Sequence, residues 1–383
     1  MIKNIPLPTW KNYLRWKLVS TTAGILSSTF EKESFAFNGT VLSGTKVMEK
    51  RWERMSNLID RYLGEALGQE YVKKAFPPEA KTRMIILVSN LQSAFAERIR
   101  ALDWMSDSTK QKALLKLKSI TVKIGYPDKW RDYSKLNIIP GNYFQNVLNA
   151  KTFAYNYELN HFGKPVDKKE WGMTPPTVNA YYNPSFNEIV FPAGILQPPF
   201  FDFKADDAVN YGGIGAVIGH EMTHGFDDQG RLYDAQGNLK TWWSSTDEIQ
   251  FKEKAGRVVD QFNGYTVLDT VHVNGKLTEG ENLADLGGTM IAYQAFKKTA
   301  QGQSSKLIDG FSPDQRFFLS FAQVWRGNIL PQASALRIVT DPHAPGMYRT
   351  IGPLSNNPAF YKAFDVKEGD KMFRPVTVRA QVW

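Results

Sequence analysis

Apolar side chains recur at helical spacing in the first part of this chain. Trp10, Tyr13, Leu14 and Leu18 lie on one side of a helix that the pattern predicts for residues 8–28. The same spacing predicts further helices at residues 45–75, 79–102, 109–120 and 141–162. Apolar stripes of this kind normally pack into a core, so we assign them no chemistry.

The periodicity changes in the middle of the chain. Residues 178–182 and 188–191 have the pattern of short strands, and the link between them is rich in turn-forming residues. Helical spacing returns at residues 206–226, 244–262, 279–299 and 312–326. Residues 263–276 are predicted to be irregular or weakly strand-like, and the tail from Pro342 to be mostly loop with a short helix at 358–364. The predicted fold class is mainly α with a small mixed β-sheet, an α+β fold.

Composition narrows the class of protein. The chain has 383 residues, 42% of them hydrophobic and 22% charged, which is typical of a globular protein. Its net charge is +9, but lysine and arginine are spread along the chain and no nucleic-acid motif accompanies them, so we expect no nucleic-acid partner. Cysteine is absent, which excludes disulfides, a thiolate metal site and a cysteine nucleophile.

The chain shows no membrane or export signal. No run of about 18 apolar residues occurs, and the start, Met1 to Pro6, is too polar for a signal peptide. We therefore expect a soluble chain without a membrane segment. Its compartment stays open, because a processed chain would look the same.

The segment His220-Glu221-Met222-Thr223-His224 carries the candidate chemistry. It lies in the strongly apolar helix predicted for residues 206–226, where positions i and i+4 share a face. His220 and His224 therefore project toward one point, at a spacing that suits two nitrogen ligands on one zinc ion. Glu221 is rotated by about 100° from His220, which favours contact with a water on the metal. The pattern predicts a zinc site with Glu221 as general base.

The third metal ligand is predicted in the segment Gly280–Gly288. A catalytic zinc usually takes three protein ligands and keeps one position for water. Glu281 begins a helix among small and apolar neighbours, and a buried carboxylate is costly unless it is paired or bound to a metal. Asp285 lies one turn later on the same face, where it can accept the ring N–H of a ligand histidine. We expect one zinc ion per chain, held by His220, His224 and Glu281.

Alternatives to these assignments stay open. The five-residue pattern can arise by chance, a histidine pair in a core can be satisfied by backbone groups, and Asp285 can be an aspartate on a helix surface. His161 and His272 have polar neighbours and are interpreted as surface residues. His343 lies in a loop rich in proline and glycine that can present a donor to an oxyanion. Arg349, in the same stretch, can bind a peptide carbonyl or carboxylate. Either of these two can equally be a surface residue.

Five longer segments resemble the C-terminal half of the neprilysin family of zinc endopeptidases, peptidase family M13, which includes endothelin-converting enzymes and bacterial oligopeptidase O proteins. The segments are Val178-Asn-Ala-Tyr-Tyr182, Ile189-Val-Phe-Pro-Ala-Gly-Ile-Leu-Gln-Pro-Pro-Phe-Phe201, Gly212-Gly-Ile-Gly to His224-Gly-Phe-Asp-Asp228, Gly280-Glu-Asn-Leu-Ala-Asp285 and Asp341-Pro-His-Ala-Pro-Gly346. The resemblance covers essentially the whole chain. It implies a zincin with a thermolysin-like catalytic domain and metalloendopeptidase activity.

The resemblance also implies roles for the candidate metal residues. His220, His224 and Glu281 match the zinc ligands of the family. Glu221 matches the general base, and Asp285 matches the carboxylate that orients a ligand histidine.

Further matches concern the substrate. His343 matches a transition-state donor and Arg349 matches the arginine that grips substrate, while Asn179 and Ala180 match an edge strand that binds the peptide backbone. The walls of the pocket for the residue after the cleaved bond match Ile195, Phe200, Val217, Val324 and Trp325. This apolar pocket implies cleavage of oligopeptides on the amino side of large hydrophobic residues.

The chain departs from the family in three respects. Ala216 stands where animal relatives have a larger methionine, which leaves the pocket size open. The cysteines of the animal enzymes are missing, which indicates a bacterial-type member. Family members are roughly twice as long, so residues 1–75 are expected to be the helical remnant of a second, cleft-covering lobe and residues 76–383 the catalytic domain.

The difference in length has consequences for partners and activity. The resemblance implies peptide substrates and, as a further partner, the missing N-terminal half. The alternative to an active peptidase is a truncated peptide-binding or assembly module that binds zinc without turnover. The resemblance favours the bacterial periplasm or exterior slightly over the cytoplasm.

Overall fold

The computed structural model describes residues 4–383. Its helices, in chain order, are α1 (Leu7–Thr22), α2 (Ser28–Ser34), α3 (Arg51–Ala75), α4 (Pro78–Ala101), α5 (Asp107–Lys118), α6 (Tyr143–Leu159), α7 (Asp207–Asn210), α8 (Ala216–His224), α9 (Ser245–Asn263), α10 (Glu279–Phe296), α11 (Pro313–Val324), α12 (Pro331–Thr340), α13 (Gly346–Leu354) and α14 (Pro358–Phe364). Its strands are β1 (Thr121–Gly125), β2 (Tyr181–Asn183), β3 (Glu188–Pro192), β4 (Thr266–Leu268) and β5 (Val271–His272). The fold is mainly α with small sheets, as predicted. Within residues 4–383, no helix combines the length and the apolar character needed to cross a membrane.

Two compact units divide the described chain. The first contains the described residues up to Ala66, with Trp130–Asp167 and Ile329–Leu336. The second contains the rest, namely Leu67–Lys129, Lys168–Asn328 and Arg337–Trp383. All the candidate site residues belong to the second unit. The domain boundary near residue 75 stays a prediction, because the first unit gathers separate stretches of chain and not one N-terminal block.

The three-stranded sheet has β3 as its central strand. β1 pairs with β3 in parallel, with Val122 opposite Ile189, and β2 pairs with it antiparallel, with Tyr182 opposite Ile189. Every residue of β3 is buried, which is typical of a strand with neighbours on both sides. β2 is an edge strand in the part of the chain that the structure describes. An open edge of this kind can pair with an extended peptide.

The helix predicted for residues 206–226 is interrupted. Tyr211–Gly215 forms a π-helical turn between α7 and α8. The backbone N–H of Ile214 donates to the Phe200 carbonyl at 2.7 Å, outside the helix. The diverted donor explains the break, which periodicity alone does not reveal. Such wide turns inside helices are frequent at functional sites.

Two glycines set the distance between α8 and α10. A Cβ on Gly219 would lie 2.6 Å from the carbonyl oxygen of Gly288, and a Cβ on Gly288 would lie 2.5 Å from the backbone nitrogen of His220. Neither position has room for a side chain, so the two backbones approach as closely as glycine permits. This contact brings the face of α8 that carries His220 against α10, which carries Glu281.

The core of the second unit lies behind this helix pair. Phe95 of α4 and Phe226 are fully buried and meet edge to face at 5.2 Å between ring centroids. Ile218 and Met222 of α8 and Ile291 of α10 are also fully buried. Each such side chain contributes about 1.5–3 kcal/mol by its removal from water. The metal-binding pattern therefore lies on a helix whose other face is fixed by the core.

The sequence pattern does not reveal β1, α12 and α13. β1 has five residues and forms by pairing with β3, a contact distant in sequence. α13 lies in the tail from Pro342 that the sequence predicts to be mostly loop, and the sequence pattern gives no prediction for the segment that forms α12. Pro345 is the N-cap residue of α13, where its missing N–H removes no hydrogen bond of the helix. The short helix predicted for residues 358–364 is confirmed as α14.

Candidate metal centre and active site

Three predicted ligands converge on one point. Nε2 of His220 lies 2.9 Å from Nε2 of His224 and 3.2 Å from Oε2 of Glu281. Nε2 of His224 lies 3.7 Å from Oε1 of Glu281. The two histidines come from consecutive turns of α8, and Glu281 comes from the first turn of α10. The convergence depends on the close packing of these two helices.

These distances fit a zinc ion. Ligand atoms at about 2.0–2.2 Å from a tetrahedral zinc are about 3.3–3.5 Å apart. The two imidazole nitrogens are 2.9 Å apart, and the two carboxylate oxygens of Glu281 lie 3.2 Å from the nitrogen of His220 and 3.7 Å from that of His224, respectively. Burial alone would raise the pKa of Glu281, but hydrogen bonds with the three surrounding histidines hold it well below its ordinary value. Two imidazoles and an ionised carboxylate are a ligand set that zinc prefers. His220, His224 and Glu281 would therefore hold the metal.

Asp285 lies where the sequence predicts a carboxylate that orients a ligand. Its Oδ1 is 2.8 Å from Nδ1 of His220. Arg349 binds the same carboxylate with two prongs, Nε to Oδ2 at 2.7 Å and Nη2 to Oδ1 at 2.8 Å. Burial acts to raise the pKa of Asp285, but the Arg349 guanidinium and the His220 ring together hold the pKa below its ordinary value. The ionised Asp285 can fix the ring of His220 so that Nε2 faces the metal.

Arg349 lies on α13, whereas the sequence places it in a loop. It is buried, and its guanidinium lies 3.9 Å from the ring centroid of Trp325. The residue lines the cavity, but its hydrogen bonds go to Asp285, with a weaker contact of 3.5 Å to Glu281. A grip on substrate stays a prediction for Arg349. The structure adds a contact that the sequence did not predict, the two hydrogen bonds from Arg349 to Asp285.

The predicted general base, Glu221, faces the same cavity. The ligand atoms of His220, Glu221 and His224 all lie within 4.8 Å of one another. Glu221 is buried, and burial raises the pKa of its carboxyl above the ordinary value, against the opposing effect of the two histidines. A carboxyl with a raised pKa at this distance is suited to exchange a proton with a water near the ligands.

His343 reaches the centre from the loop before α13. Its Nε2 lies 3.2 Å from Oε2 of Glu281, and its Nδ1 lies 2.7 Å from Oδ1 of Asp341. Asp341 in turn is bonded by Nε of Arg337 at 2.7 Å. Burial would lower the pKa of His343, but the neighbouring carboxylates of Glu281 and Asp341 raise it. The imidazole is thereby favoured as a protonated donor beside the metal ligands.

The cavity over these residues has a volume of about 530 Å³. It is lined by every residue predicted for the site, namely Asn179, Ala180, Ile195, Phe200, Val217, His220, Glu221, His224, Glu281, Asp285, Val324, Trp325, His343 and Arg349. Ala216 and Phe321 also contribute to its apolar wall. The structure thus brings the predicted metal, base and pocket residues to one place, and their individual roles remain predictions.

Asn179 and Ala180 lie just before β2 and not within it, which corrects the strand predicted for residues 178–182. The register would next place Asn179 opposite Pro192, which has no N–H to continue the ladder. The N–H of Ala180 instead donates to Oδ1 of Asn179 at 2.9 Å. A peptide that pairs with this segment would have to replace that bond.

Sequence reasoning missed Asp227. Its Oδ2 lies 2.6 Å from Nδ1 of His224, which is the counterpart of the contact between Asp285 and His220. Its Oδ1 accepts the backbone N–H groups of Gln229 and Gly230 at 2.9 and 2.7 Å. The available signal was an aspartate three residues after a ligand histidine, at the end of the helix. Each candidate ligand histidine is therefore oriented by a carboxylate.

Asp227→Ala is expected to weaken zinc binding by about 10- to 100-fold, because the ring of His224 loses its orienting partner. Asp228→Ala is the matched control, since the Oδ2 of Asp228 bonds the side chain of Gln229 and not a histidine. Competition titration with a chromophoric chelator measures both affinities. Equal affinities of the two variants would contradict this role for Asp227.

Comparisons with known proteins agree with the geometry. The family model for peptidase family M13 matches residues 179–379, and the model for the N-terminal part of the same family matches residues 1–127. The endothelin-converting enzyme homolog of Locusta migratoria is 41% identical over 382 residues, which cover 97% of this chain and 52% of that protein. Human endothelin-converting enzyme 1 is 38% identical over 383 residues, covering 97% of this chain and 49% of that protein.

Solved structures give the same result. The zinc metalloprotease Zmp1 of Mycobacterium tuberculosis, in complex with an inhibitor, is 45% identical with a TM-score of 0.95, covering 99% of this chain and 58% of that one. PepO from Lactobacillus rhamnosis HN001 is 32% identical with a TM-score of 0.88, covering 95% of this chain and 56% of that one. The chain spans about half the length of the curated relatives above. With its family match and its converging histidines and glutamate, the chain belongs to peptidase family M13.

Proposed function

We propose that this chain carries the catalytic half of a zinc endopeptidase that cleaves oligopeptides on the amino side of large hydrophobic residues. The observation that carries the proposal is the convergence of His220, His224 and Glu281 beside the buried Glu221. Family membership supports it. When bound, zinc supplies Lewis-acid activation of a water and of a peptide carbonyl.

Glu221 is the group that handles the proton in this mechanism. As the water oxygen bonds to the carbonyl carbon, the Glu221 carboxylate accepts the proton that the water releases. The peptide C–N bond then breaks, and Glu221 passes the proton to the leaving amine. The two products are a carboxylic acid and an amine, so one water is consumed for each bond.

The other residues position groups or stabilise charge. The ring of His343, held by Asp341, donates a hydrogen bond to the oxyanion that develops on the carbonyl. Asp285 and Asp227 keep the two ligand histidines oriented. The backbone at Asn179 and Ala180 holds the peptide in an extended form.

The apolar part of the cavity supports the substrate preference. Apolar or aromatic side chains line the cavity together with the candidate metal ligands, namely Ile195, Phe200, Ala216, Val217, Phe321, Val324 and Trp325. An apolar wall of this kind favours a large hydrophobic side chain on the peptide by burial of its surface.

Peptide-cleavage profiling by mass spectrometry tests the proposal. We expect the chain to cut a peptide library before phenylalanine, leucine and similar residues, and to lose this activity in a zinc chelator. Ala216→Met narrows the pocket, so the ratio of kcat/KM for phenylalanine over leucine substrates should fall by about 10-fold. A profile without hydrophobic preference, unchanged by Ala216→Met, would overturn the proposed specificity.

A second candidate function is a module that binds zinc and peptide without turnover. It is favoured by apolar side chains on α1 that stay 60–61% exposed, Leu14, Trp16 and Leu18. A separate N-terminal half would be its partner. Cleavage that occurs only after the N-terminal half of a longer relative is added favours this function, and cleavage by the chain alone removes it.

A further inference from the structure

Lys116 of α5 is a buried cation that the mechanism above does not use. Its side chain is fully buried. Its Nζ donates to the carbonyl oxygens of Gly230 and Tyr233, both at 2.7 Å. The rings of Phe226 and Trp242 lie 5.5 and 5.8 Å from the same nitrogen, at cation–π distance. Two carbonyls and aromatic faces thus surround the ammonium.

The cost of this burial indicates a specific role. Burial lowers the pKa of Lys116 to about 7, with Asp227 and Asp234 opposing the shift. A buried charge without a directly bonded carboxylate is expensive, and an apolar side chain of similar length would fill the same space without that cost. The bonds to Gly230 and Tyr233 therefore do more than fill the core.

The bonds from Lys116 end on the turn at residues 227–233, and this turn orients the candidate metal ligand His224. The N–H of Gly230 donates to Oδ1 of Asp227 at 2.7 Å, and Oδ2 of the same carboxylate lies 2.6 Å from Nδ1 of His224. Gly230 has no room to move toward the helix, because a Cβ there would lie 1.7 Å from the carbonyl oxygen of His224. The path from Lys116 to the metal centre thus consists of a carbonyl, an N–H, a carboxylate and an imidazole.

We propose that Lys116 is a positioning residue for the metal centre, an inference that rests on the proposed function. Its ammonium holds the carbonyl side of the turn at Gly230 and Tyr233, so that the N–H side of the turn keeps Asp227 against His224. Removal of the ammonium takes one donor from each carbonyl, leaving the Tyr233 N–H on Gly230 and the Trp242 indole N–H on Tyr233, and lets the turn shift. His224 then loses part of its orientation, and the metal is released more readily.

The test measures zinc release by stopped-flow mixing of the zinc-loaded protein with a chromophoric chelator. Lys116→Met should release zinc about 5-fold faster than wild type, somewhat less than the effect of losing a carboxylate that touches a ligand histidine. Lys112→Met is the matched control. Lys112 lies one turn earlier on α5 and also donates to a backbone carbonyl, that of Trp242 at 3.1 Å, but it does not touch the turn. This control should release zinc at the wild-type rate.

A double-mutant cycle separates positioning from general loss of stability. If Lys116 acts through Asp227, then Lys116→Met should change the release rate by less than about 2-fold when Asp227→Ala is already present. A full 5-fold effect in that background would overturn the proposal. Lys116→Arg keeps a cationic donor and should be intermediate between wild type and Lys116→Met. If Lys116→Met does not fold, Lys116→Arg is measured in its place. A zinc release rate of Lys116→Arg equal to that of Lys112→Met would then overturn the proposal.

The experiments distinguish failure of the proposed function from failure of the proposed role of Lys116. If the wild-type chain binds no zinc, the proposed function is overturned and this inference with it. If the wild type binds zinc and Lys116→Met releases it no faster than Lys112→Met, only the role of Lys116 is overturned.

Discussion

Glu221→Gln is expected to lower kcat/KM for a hydrophobic peptide substrate by about 100- to 10,000-fold, the range that removal of a general acid–base group produces. The amide has nearly the shape of the carboxyl but cannot accept the proton of the attacking water. The loss should fall on kcat, because substrate binding depends on other walls of the cavity. Steady-state kinetics on a fluorogenic peptide measures the change.

Zinc content is the control for this result. Glu221 is not among the three proposed ligands, so Glu221→Gln should bind zinc as wild type does. Glu279→Gln is a second control, because Glu279 is a buried glutamate of α10 that bonds Lys276 and does not line the cavity. A Glu221→Gln protein that cleaves peptide at the wild-type rate would remove the proposed mechanism.

Glu281→Gln is expected to reduce zinc affinity by more than about 100-fold, since loss of an outer hydrogen-bonding partner already costs 10- to 100-fold. The amide removes the negative charge that balances the metal and leaves Arg349 with Asp285 as its remaining carboxylate partner. Zinc should accordingly raise the midpoint of thermal unfolding much less in this variant than in wild type, because ligand stabilisation scales with affinity.

Glu279→Gln provides the comparison at a position two residues away on the same helix. Its zinc affinity and its thermal shift on addition of zinc should match wild type. Isothermal titration with zinc and differential scanning fluorimetry measure the two quantities. Retention of tight zinc binding by Glu281→Gln would exclude Glu281 as a ligand and with it the three-residue metal centre.

Carboxylates that contact the candidate ligand histidines are common to these predictions. Asp285 and Asp227 each lie within 2.8 Å of a ring nitrogen of a candidate ligand, and Arg349 and Lys116 support them from behind. Arg349 bonds Asp285 directly, whereas Lys116 is linked to Asp227 through the backbone of Gly230, and we expect both cations to influence the metal ligands. The resulting order of expected effects on zinc binding is Glu281, then Asp227, then Lys116.

The sequence by itself determined the local part of this site. The interval of four residues between His220 and His224 is one helical turn, so helix geometry alone makes the two imidazoles neighbours. The acidic residues Glu281 and Asp285 could also be chosen from the sequence, because a carboxylate among apolar residues needs a partner. The mainly α fold class followed from periodicity in the same way.

Only the tertiary structure decided which distant groups meet. The contact of Gly219 with Gly288 sets how closely α8 approaches α10, and so whether Glu281 reaches the histidines. Likewise, the bond from Lys116 to Gly230 joins segments that periodicity treats as unrelated. The physical reason is that periodicity reports which face of an element is buried, whereas the partner of that face is fixed by packing and hydrogen bonds between elements far apart in the chain.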